Sequence, residues 1–147
     1  MNRDFMKLAL EEAKTAARQG EIPVGAVIVK NGKIIAQAHN TREKDKNALG
    51  HAEMNAINEA CKRLSSWRLD DCEIYVTMEP CPMCAGAIIN ARIPAVVFGC
   101  YDLKMGSFDS VVNLASLDYD FKPEIYGGIM EEECTALVKD FFKNLRT

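Results

Sequence analysis

The chain has 147 residues, of which 48% are hydrophobic and 27% are charged, and its formal net charge is -3. This length and composition predict one globular domain over residues 1–147, with a core large enough to fold without disulfide bonds. The slightly acidic balance excludes a protein that coats nucleic acid non-specifically, so any nucleic-acid binding must use a local patch. No run of about 18 apolar residues predicts a membrane span, and the start, Met1-Asn2-Arg3-Asp4, is not typical of a signal peptide. We therefore expect a soluble cytoplasmic protein.

The first half of the chain predicts a helix, a β-hairpin, a polar loop and a second helix. The segments are a helix over 5–18, strands over 24–29 and 33–38, a loop over 39–50 and a helix over 51–64. Both helices repeat apolar residues at spacings of three and four positions. The almost unbroken apolar run of the first strand predicts burial on both faces. Asn31-Gly32 between the strands favours a tight type I′ turn.

The second half predicts three more strands. The segments are a strand over 72–78, a helix from about 80 to 91, a strand over 95–99, a loop over 102–110, a short helix within 111–117, an edge strand over 124–126 and a helix with an apolar stripe over 134–145. The strand, helix, strand order requires a parallel pair with a right-handed crossover. With the hairpin, this predicts a three-layer α/β/α sandwich around a mixed five-stranded sheet.

The six cysteines fall into two groups. A chain of this size with no export signal is expected to keep its thiols reduced. Four cysteines lie in apolar-patterned segments and are predicted to be core residues: Cys61, Cys72, Cys100 and Cys134. Cys81 and Cys84 instead form a Cys-x-x-Cys motif flanked by prolines. Metal binding is therefore the first possibility to consider for this pair.

His51, Cys81 and Cys84 are candidate ligands for one metal ion. One histidine and two cysteines give three ligands for tetrahedral zinc, with a fourth position open to water as in catalytic sites. The two cysteines begin a predicted helix, whose N-terminal N–H groups and dipole favour the thiolate that binds metal. His51 also begins a predicted helix, and the strand over 72–78 returns the chain to the same edge of the sheet.

Glu53 is the candidate catalytic residue beside these ligands. It lies two positions after His51, about 200° around a regular helix, so both side chains reach one ion only if the ion lies beyond the first turn. A carboxylate next to a zinc-activated water is the arrangement of metal-assisted hydrolysis, in which the carboxylate takes a proton and passes it to the leaving group. Glu53 is therefore predicted to be a proton shuttle rather than a ligand.

Each motif taken alone has a simpler interpretation. A Cys-x-x-Cys pair also occurs in redox dithiols and zinc knuckles, and a His-x-Glu at a helix start often only caps the helix. A knuckle would need a second ligand pair, whereas the only other histidine is His39. A redox dithiol needs no His-x-Glu upstream. The combination favours a catalytic zinc site, and the acid at Glu53 favours an enzyme over a non-catalytic zinc-binding or RNA-binding module.

The two motifs resemble the signature of the cytidine deaminase superfamily. They are His51-Ala52-Glu53 and Pro80-Cys81-Pro82-Met83-Cys84. Within the superfamily, the chain most resembles the bacterial tRNA-specific adenosine deaminases over nearly its whole length. Further segments carry this resemblance, among them Pro23-Val24-Gly25-Ala26-Val27, Asp102-x-Lys104-x-Gly106 and Phe141-Phe142. Guanine deaminases, which share the cysteine motif, are the nearest alternative.

The resemblance implies an activity, a fold and partners. The activity is zinc-dependent hydrolytic deamination of adenosine to inosine at the wobble position of a tRNA anticodon loop, on a cytidine deaminase-like fold. The implied cofactor is one Zn²⁺ per subunit, held by His51, Cys81 and Cys84, with Glu53 as the catalytic residue. The implied partners are the tRNA anticodon stem-loop and a second copy of the chain in a homodimer, with no membrane.

The resemblance also assigns residues to the substrate. Asn40 would hold the target base, with Val24, His51 and Ala52 around it, and Asp102 would contact the flanking nucleotide. Asn40 and Asp102 have a simpler interpretation as residues that cap a loop or form a turn.

The sequence predicts basic residues for the RNA-facing surface but not the shape of that surface. The segment Ser107-Phe108-Asp109-Ser110 departs from the small residues common in the family, so the shape of this loop is not predicted. A phosphate-binding patch can be assembled from Arg42, Lys44, Lys46, Arg68, Arg92, Lys104 and the last helix, with Lys139, Lys143 and Arg146.

Overall fold

A mixed five-stranded sheet organises residues 2–145, which are the part of the chain that the computed structural model describes. The strands are β1 Gly25–Lys30, β2 Lys33–His39, β3 Cys72–Met78, β4 Ala95–Cys100 and β5 Glu124–Tyr126. They lie in the order β2-β1-β3-β4-β5. The first strand is antiparallel to both of its neighbours, whereas β3, β4 and β5 are parallel. The predicted mixed sheet is confirmed.

Helices cover both faces of the sheet. They are α1 Arg3–Arg18, α2 Arg42–Asp45, α3 Ala52–Leu64, α4 Pro82–Asn90 and α5 Glu131–Leu145, with one 3₁₀ turn at Leu114–Ser116. One core cluster joins α1 and α5 to the sheet, and the other joins α3 and α4 to the opposite face. Successive side chains of β1 alternate between the two clusters, since Ile28 belongs to the α3/α4 side and Val27 to the α1/α5 side. The predicted two-sided burial of this strand is confirmed.

The hairpin between β1 and β2 has the predicted turn. Asn31 and Gly32 both have positive φ angles, 51° and 76°. A type I′ turn requires positive φ at both central residues, and asparagine and glycine adopt this conformation at the lowest cost. The turn places the other end of β2, at His39, beside the start of β1.

The β3-α4-β4 crossover determines where the candidate ligands meet. Because β3 and β4 are parallel, their carboxyl ends lie at the same edge of the sheet, where Met78 pairs with Cys100. The N-terminus of α4 follows β3 at this edge. In open α/β sheets this edge is the usual place for a ligand site.

Two segments differ from the sequence predictions. The loop predicted over 39–50 contains the one-turn helix α2, and the short helix predicted within 111–117 is a single 3₁₀ turn. The α2 turn forms because the buried carboxylate of Glu21 accepts hydrogen bonds from the backbone N–H groups of Glu43 and Lys44, at 3.0 and 2.8 Å. This cap lies about twenty positions upstream, so the local sequence of the loop did not indicate it.

The remaining helices have nearly the predicted bounds, with ends that differ by at most three residues. Within residues 2–145, no helix combines the length and the apolar character needed to cross a membrane.

Candidate active site

Two helix N-termini bring His51, Cys81 and Cys84 together. His51 is the N-cap residue of α3, Cys81 is the N-cap residue of α4, and Cys84 lies in the first turn of α4. The Nδ1 atom of His51 is 3.6 Å from the Sγ atom of Cys81 and 3.6 Å from the Sγ atom of Cys84. Within the described part of the chain, these three residues form the one cluster whose geometry suits a metal ion.

The spacing of these atoms fits tetrahedral zinc. Zinc bonds of about 2.3 Å to sulfur and about 2.0–2.1 Å to nitrogen at a tetrahedral angle place sulfur and nitrogen about 3.6 Å apart. This is the separation that the structure shows for both pairs. His51 and Cys81 also line the adjacent cavity, so a molecule in that cavity would lie beside an ion held by these residues.

The two thiols differ in their affinity for a proton. A hydrogen bond from Cys84, helped by one from His51, lowers the pKa of Cys81 to about 4. The same hydrogen bond and burial raise the pKa of Cys84. The hydrogen bond to Cys81 also raises the pKa of His51. A thiolate at a helix N-terminus is the form of cysteine that binds a cation.

The other cysteines are structural. Cys72, Cys100 and Cys134 are buried in the two core clusters, and Cys61 packs against one of them. Burial raises the pKa of each thiol, to about 11 for Cys72 and Cys100 and to about 12 for Cys134. These neutral thiols act as small apolar side chains, as the sequence predicted.

Glu53 lies in the first turn of α3, directly beside the cluster. Its side chain is buried, with 4% of the residue exposed. Burial raises the pKa of Glu53 to about 7, and the nearby charge of Cys81 acts in the same direction. A carboxyl group with a pKa near neutrality can both accept and release a proton at physiological pH.

A cavity of about 350 Å³ opens over the cluster and Glu53. It is lined by every residue that the sequence analysis assigned to the substrate: Val24, Asn40, His51, Ala52 and Asp102. Cys81 also lines the cavity, whereas Cys84 is fully buried behind it. The volume lies at the lower end of the range for small-molecule sites, which suits one nucleobase.

Asn40 and Asp102 shape the backbone as well as line the cavity. The Oδ1 atom of Asn40 accepts a hydrogen bond from the N–H of Arg42, and its Nδ2 donates to the carbonyl of Ile22 at 3.3 Å. The Oδ1 atom of Asp102 accepts from the N–H groups of Lys104 and Met105. The capping interpretation of both residues is therefore confirmed, and it is compatible with a second role toward a ligand.

Sequence reasoning missed four residues of the cavity wall. They are Ile22, Met78, Glu79 and Met105. Glu79 is the most unusual, because it is a carboxylate with 2% of its surface exposed. It lies next to the Pro-Cys-Pro motif, but its partners lie more than twenty positions downstream. No local pattern in the sequence reports such contacts.

The candidate phosphate-binding residues do not form one patch. Arg42 lines the cavity, and Lys104 lies on the loop that carries Asp102. Arg68 and Arg92 instead lie over the ring of Trp67, and Arg92 follows the C-terminal end of α4, at the other end of this helix from Cys81. Arg146 lies outside the described residues.

Comparison with known proteins identifies the family. Residues 1–146 match the model of the MafB19-like deaminase family. The tRNA-specific adenosine deaminase of Bacillus subtilis (strain 168) is 48% identical to this chain over 143 residues, which are 97% of the chain and 89% of that protein. The chain belongs to the tRNA-specific adenosine deaminase family. The corresponding protein of Aquifex aeolicus (strain VF5) is also 48% identical, over 97% of this chain and 94% of its own length.

Solved structures show the same relationship at the level of the fold. A chain from a study of A-to-I editing by tRNA:A34 deaminases at the wobble position superposes with a TM-score of 0.90, at 39% identity, covering 92% of this chain and 99% of that one. Guanine deaminase from Bacillus subtilis superposes with a TM-score of 0.65, at 34% identity, covering 82% of this chain and 88% of that one. The predicted cytidine deaminase-like fold is thereby confirmed, and the adenosine deaminase is the more similar of these two structures.

Proposed function

We infer that this protein deaminates adenosine to inosine by hydrolysis, at the wobble position of a tRNA anticodon loop. The observation that carries this conclusion is the arrangement of a buried carboxyl group and a His/Cys/Cys cluster at the base of a nucleobase-sized cavity. Membership of the family narrows the substrate, since the relatives at 48% identity are tRNA-specific adenosine deaminases. Adenosine and water give inosine and ammonia, so the reaction needs no redox partner.

We propose that His51, Cys81 and Cys84 hold one zinc ion in each subunit. The fit of their spacing to tetrahedral zinc supports this assignment. When bound, zinc supplies a Lewis acid that makes a water molecule reactive near neutral pH.

Glu53 is proposed to move the proton. Replacing the exocyclic amine of adenine by oxygen moves both protons of the attacking water, one to N1 of the ring and one to the departing nitrogen. The carboxyl group of Glu53 is placed to carry out both transfers, because it lines the cavity beside the three candidate ligands. Its burial excludes bulk water that would compete for that proton.

The remaining cavity residues are proposed to orient the nucleotide. A base inside a stacked loop cannot reach this cavity, so the target base must leave the stack. The Asn40 side chain, held by its bonds to Arg42 and Ile22, presents a fixed amide to the edge of the base. The Val24 and His51 side chains and the Ala52 backbone enclose the base. Asp102, at the rim, is proposed to contact the neighbouring nucleotide.

We also propose a cytoplasmic homodimer in which each copy is a single domain over residues 1–147. Four exposed apolar side chains between 111 and 119 support an interface: Val111, Val112, Leu117 and Tyr119. Size-exclusion chromatography with light scattering measures the mass directly. A monomer at the concentrations used for catalysis would contradict the dimer.

Guanine deamination is the competing activity, because a guanine deaminase at 34% identity shares the fold. The test incubates the zinc-loaded protein separately with an anticodon stem-loop that contains wobble adenosine, and with free guanine, adenosine and cytidine. We expect inosine from the stem-loop and no ammonia from the three small substrates. Ammonia from guanine alone would replace the proposed function with the competing one.

A further inference from the structure

One wall of the cavity is a loop that depends on contacts from outside itself. Residues 101–110 follow β4 and contain no helix or strand, apart from an isolated bridge between Phe108 and Asn113. Asp102 and Met105 of this loop line the cavity. Leu103 points outward and is 82% exposed. Something other than regular secondary structure must hold this wall in place.

The carboxylate of Glu79 fixes this loop by accepting hydrogen bonds from it. Its Oε1 atom accepts hydrogen bonds from the N–H of Asp102, at 3.1 Å, and from the hydroxyl of Ser110, at 2.5 Å. Its Oε2 atom accepts from the N–H groups of Phe108 and Ser110, at 3.2 and 2.9 Å. Among residues 2–145, Glu79 forms no salt bridge. Four donors from one loop therefore offset the cost of burying this charge.

The loop also passes against the carboxylate too closely for a side chain. A Cβ atom on Gly106 would lie 2.3 to 2.4 Å from the three carboxylate atoms of Glu79. Nearby, the N–H of Ser107 donates to the carbonyl of Pro80, at 2.9 Å, and Phe108 is buried in the core. Contacts from the segment 79–80 thus reach the loop from its start to its end.

We propose that Glu79 is a positioning residue, whose carboxylate holds the 101–110 loop in the shape that presents Asp102 and Met105 to the RNA. This inference rests on the proposed function, because it takes the anticodon loop as the ligand of this wall. A wall that is ordered before binding avoids the entropy loss of ordering it in the complex, so the hydrogen bonds of Glu79 contribute to the affinity for the RNA.

Glu79→Gln tests these hydrogen bonds by changing one of the two carboxylate oxygens. A glutamine keeps one acceptor oxygen and replaces the other by an NH₂ donor. The glutamine oxygen is expected to take the position of Oε2. In the other orientation, the NH₂ group would face the backbone N–H groups of Phe108 and Ser110, which are also donors. The hydroxyl of Ser110 can turn to accept from the new NH₂ group, but the N–H of Asp102 cannot. Glu79→Gln therefore releases the loop at Asp102 specifically.

The experiment compares the zinc-loaded wild type with Glu79→Gln, Ser110→Ala and Val97→Ala. Val97 lies on the opposite face of the sheet, against α1 and α5, so Val97→Ala lowers stability without touching the loop. Hydrogen exchange at the Asp102 amide measures how firmly the loop is fixed without substrate. Steady-state kinetics on the stem-loop measures the effect on KM and kcat. We expect Glu79→Gln to accelerate exchange at Asp102 and to raise KM, each by about tenfold or more, with kcat within about threefold.

Ser110→Ala removes one of the four hydrogen bonds and should raise KM in the same direction by a smaller factor. It also keeps the test decisive if Glu79→Gln fails to fold. Val97→Ala should leave both exchange at Asp102 and KM unchanged.

An unchanged KM in both loop variants, with a wild type that deaminates the stem-loop, would overturn the positioning role even if the loop exchanged faster. A wild type that leaves the stem-loop intact would instead refute the proposed function. Exchange at Asp102 that is as slow in Glu79→Gln as in the wild type would show that Glu79 does not fix the loop.

Discussion

Three buried glutamates in or near the cavity wall differ in what surrounds them, and their proposed roles differ accordingly. Glu21 and Glu79 each accept hydrogen bonds from backbone N–H groups of a loop beside the cavity. Glu53 is buried beside Cys81 and His51, and its burial raises its pKa to about 7. A carboxylate that is fully hydrogen-bonded fixes structure, whereas a carboxyl group near its pKa can transfer protons.

Glu53→Gln should greatly slow turnover while leaving the metal site intact. The amide keeps the size of the side chain but cannot accept and release the proton, so we expect kcat to fall by about 10²–10⁴-fold. Inosine formation on the stem-loop measures the loss, and elemental analysis should still find about one zinc ion per chain. Activity close to that of the wild type would show that another group moves the proton.

Cys81→Ala should remove both the metal and the activity. Three ligands are the minimum for a catalytic zinc site, so we expect zinc content well below one ion per chain and no inosine. Cys61→Ala is the matched control, because Cys61 is outside the cluster and should retain both. Treatment of the wild type with a chelator should likewise abolish activity, and added Zn²⁺ should restore it. Full activity without bound metal would refute the assignment of the cluster.

At the scale of elements, the site is built from two helix N-termini at the carboxyl edge of a parallel strand pair. Local patterns predicted these elements well, because proline at 82, the apolar run of β1 and the Asn31-Gly32 turn all act over short distances along the chain. The one-turn α2 was missed, because its cap comes from Glu21. The role of Glu79 was missed for the same reason, since its partners are brought near only by the fold.

Gly25 shows how closely α1 approaches the sheet beside the cavity. A Cβ atom at Gly25 would lie 1.9 Å from the backbone oxygen of Ala9 and 2.6 Å from the backbone nitrogen of Ala13. Gly25→Ala should therefore lower the free energy of unfolding by about 1–3 kcal/mol or more.

Gly86→Ala is the matched control for this substitution. Gly86 lies inside α4, with no neighbouring atom within 4 Å of its Cβ position, so alanine there should raise the free energy of unfolding by about 0.5–1 kcal/mol. Urea denaturation measures both changes. Equal stabilities for the two variants would show that α1 does not pack as closely as described.

At the scale of the whole molecule, a net charge of -3 opposes RNA binding, so the attraction must be local. Arg42 lines the cavity and Lys104 lies on the 101–110 loop, which places both beside the proposed RNA path. The sequence alone indicated a small patch, but it could not separate these two from Arg68 and Arg92, which the fold places beside Trp67.

Lys104→Ala should weaken stem-loop binding and reduce its salt dependence. If Lys104 contacts one phosphate, the slope of log affinity against log salt should become shallower by about 0.7. Fluorescence anisotropy of a labelled stem-loop on the Glu53→Gln background measures this without turnover. Lys33→Ala is the control, since Lys33 lies beside the hairpin turn, at the other end of β2 from Asn40. Equal effects of the two substitutions would mean that the RNA is held by overall charge.

The most direct test of hydrolytic deamination at this site is a single reaction in H₂¹⁸O. The zinc-loaded protein converts an anticodon stem-loop, which is then digested and sequenced by mass spectrometry. We expect inosine at the wobble position alone, with ¹⁸O in its base, one ammonia per inosine, and formation slower by about 10²-fold or more with Glu53→Gln. Inosine without ¹⁸O, or a stem-loop that remains unmodified, would contradict the account.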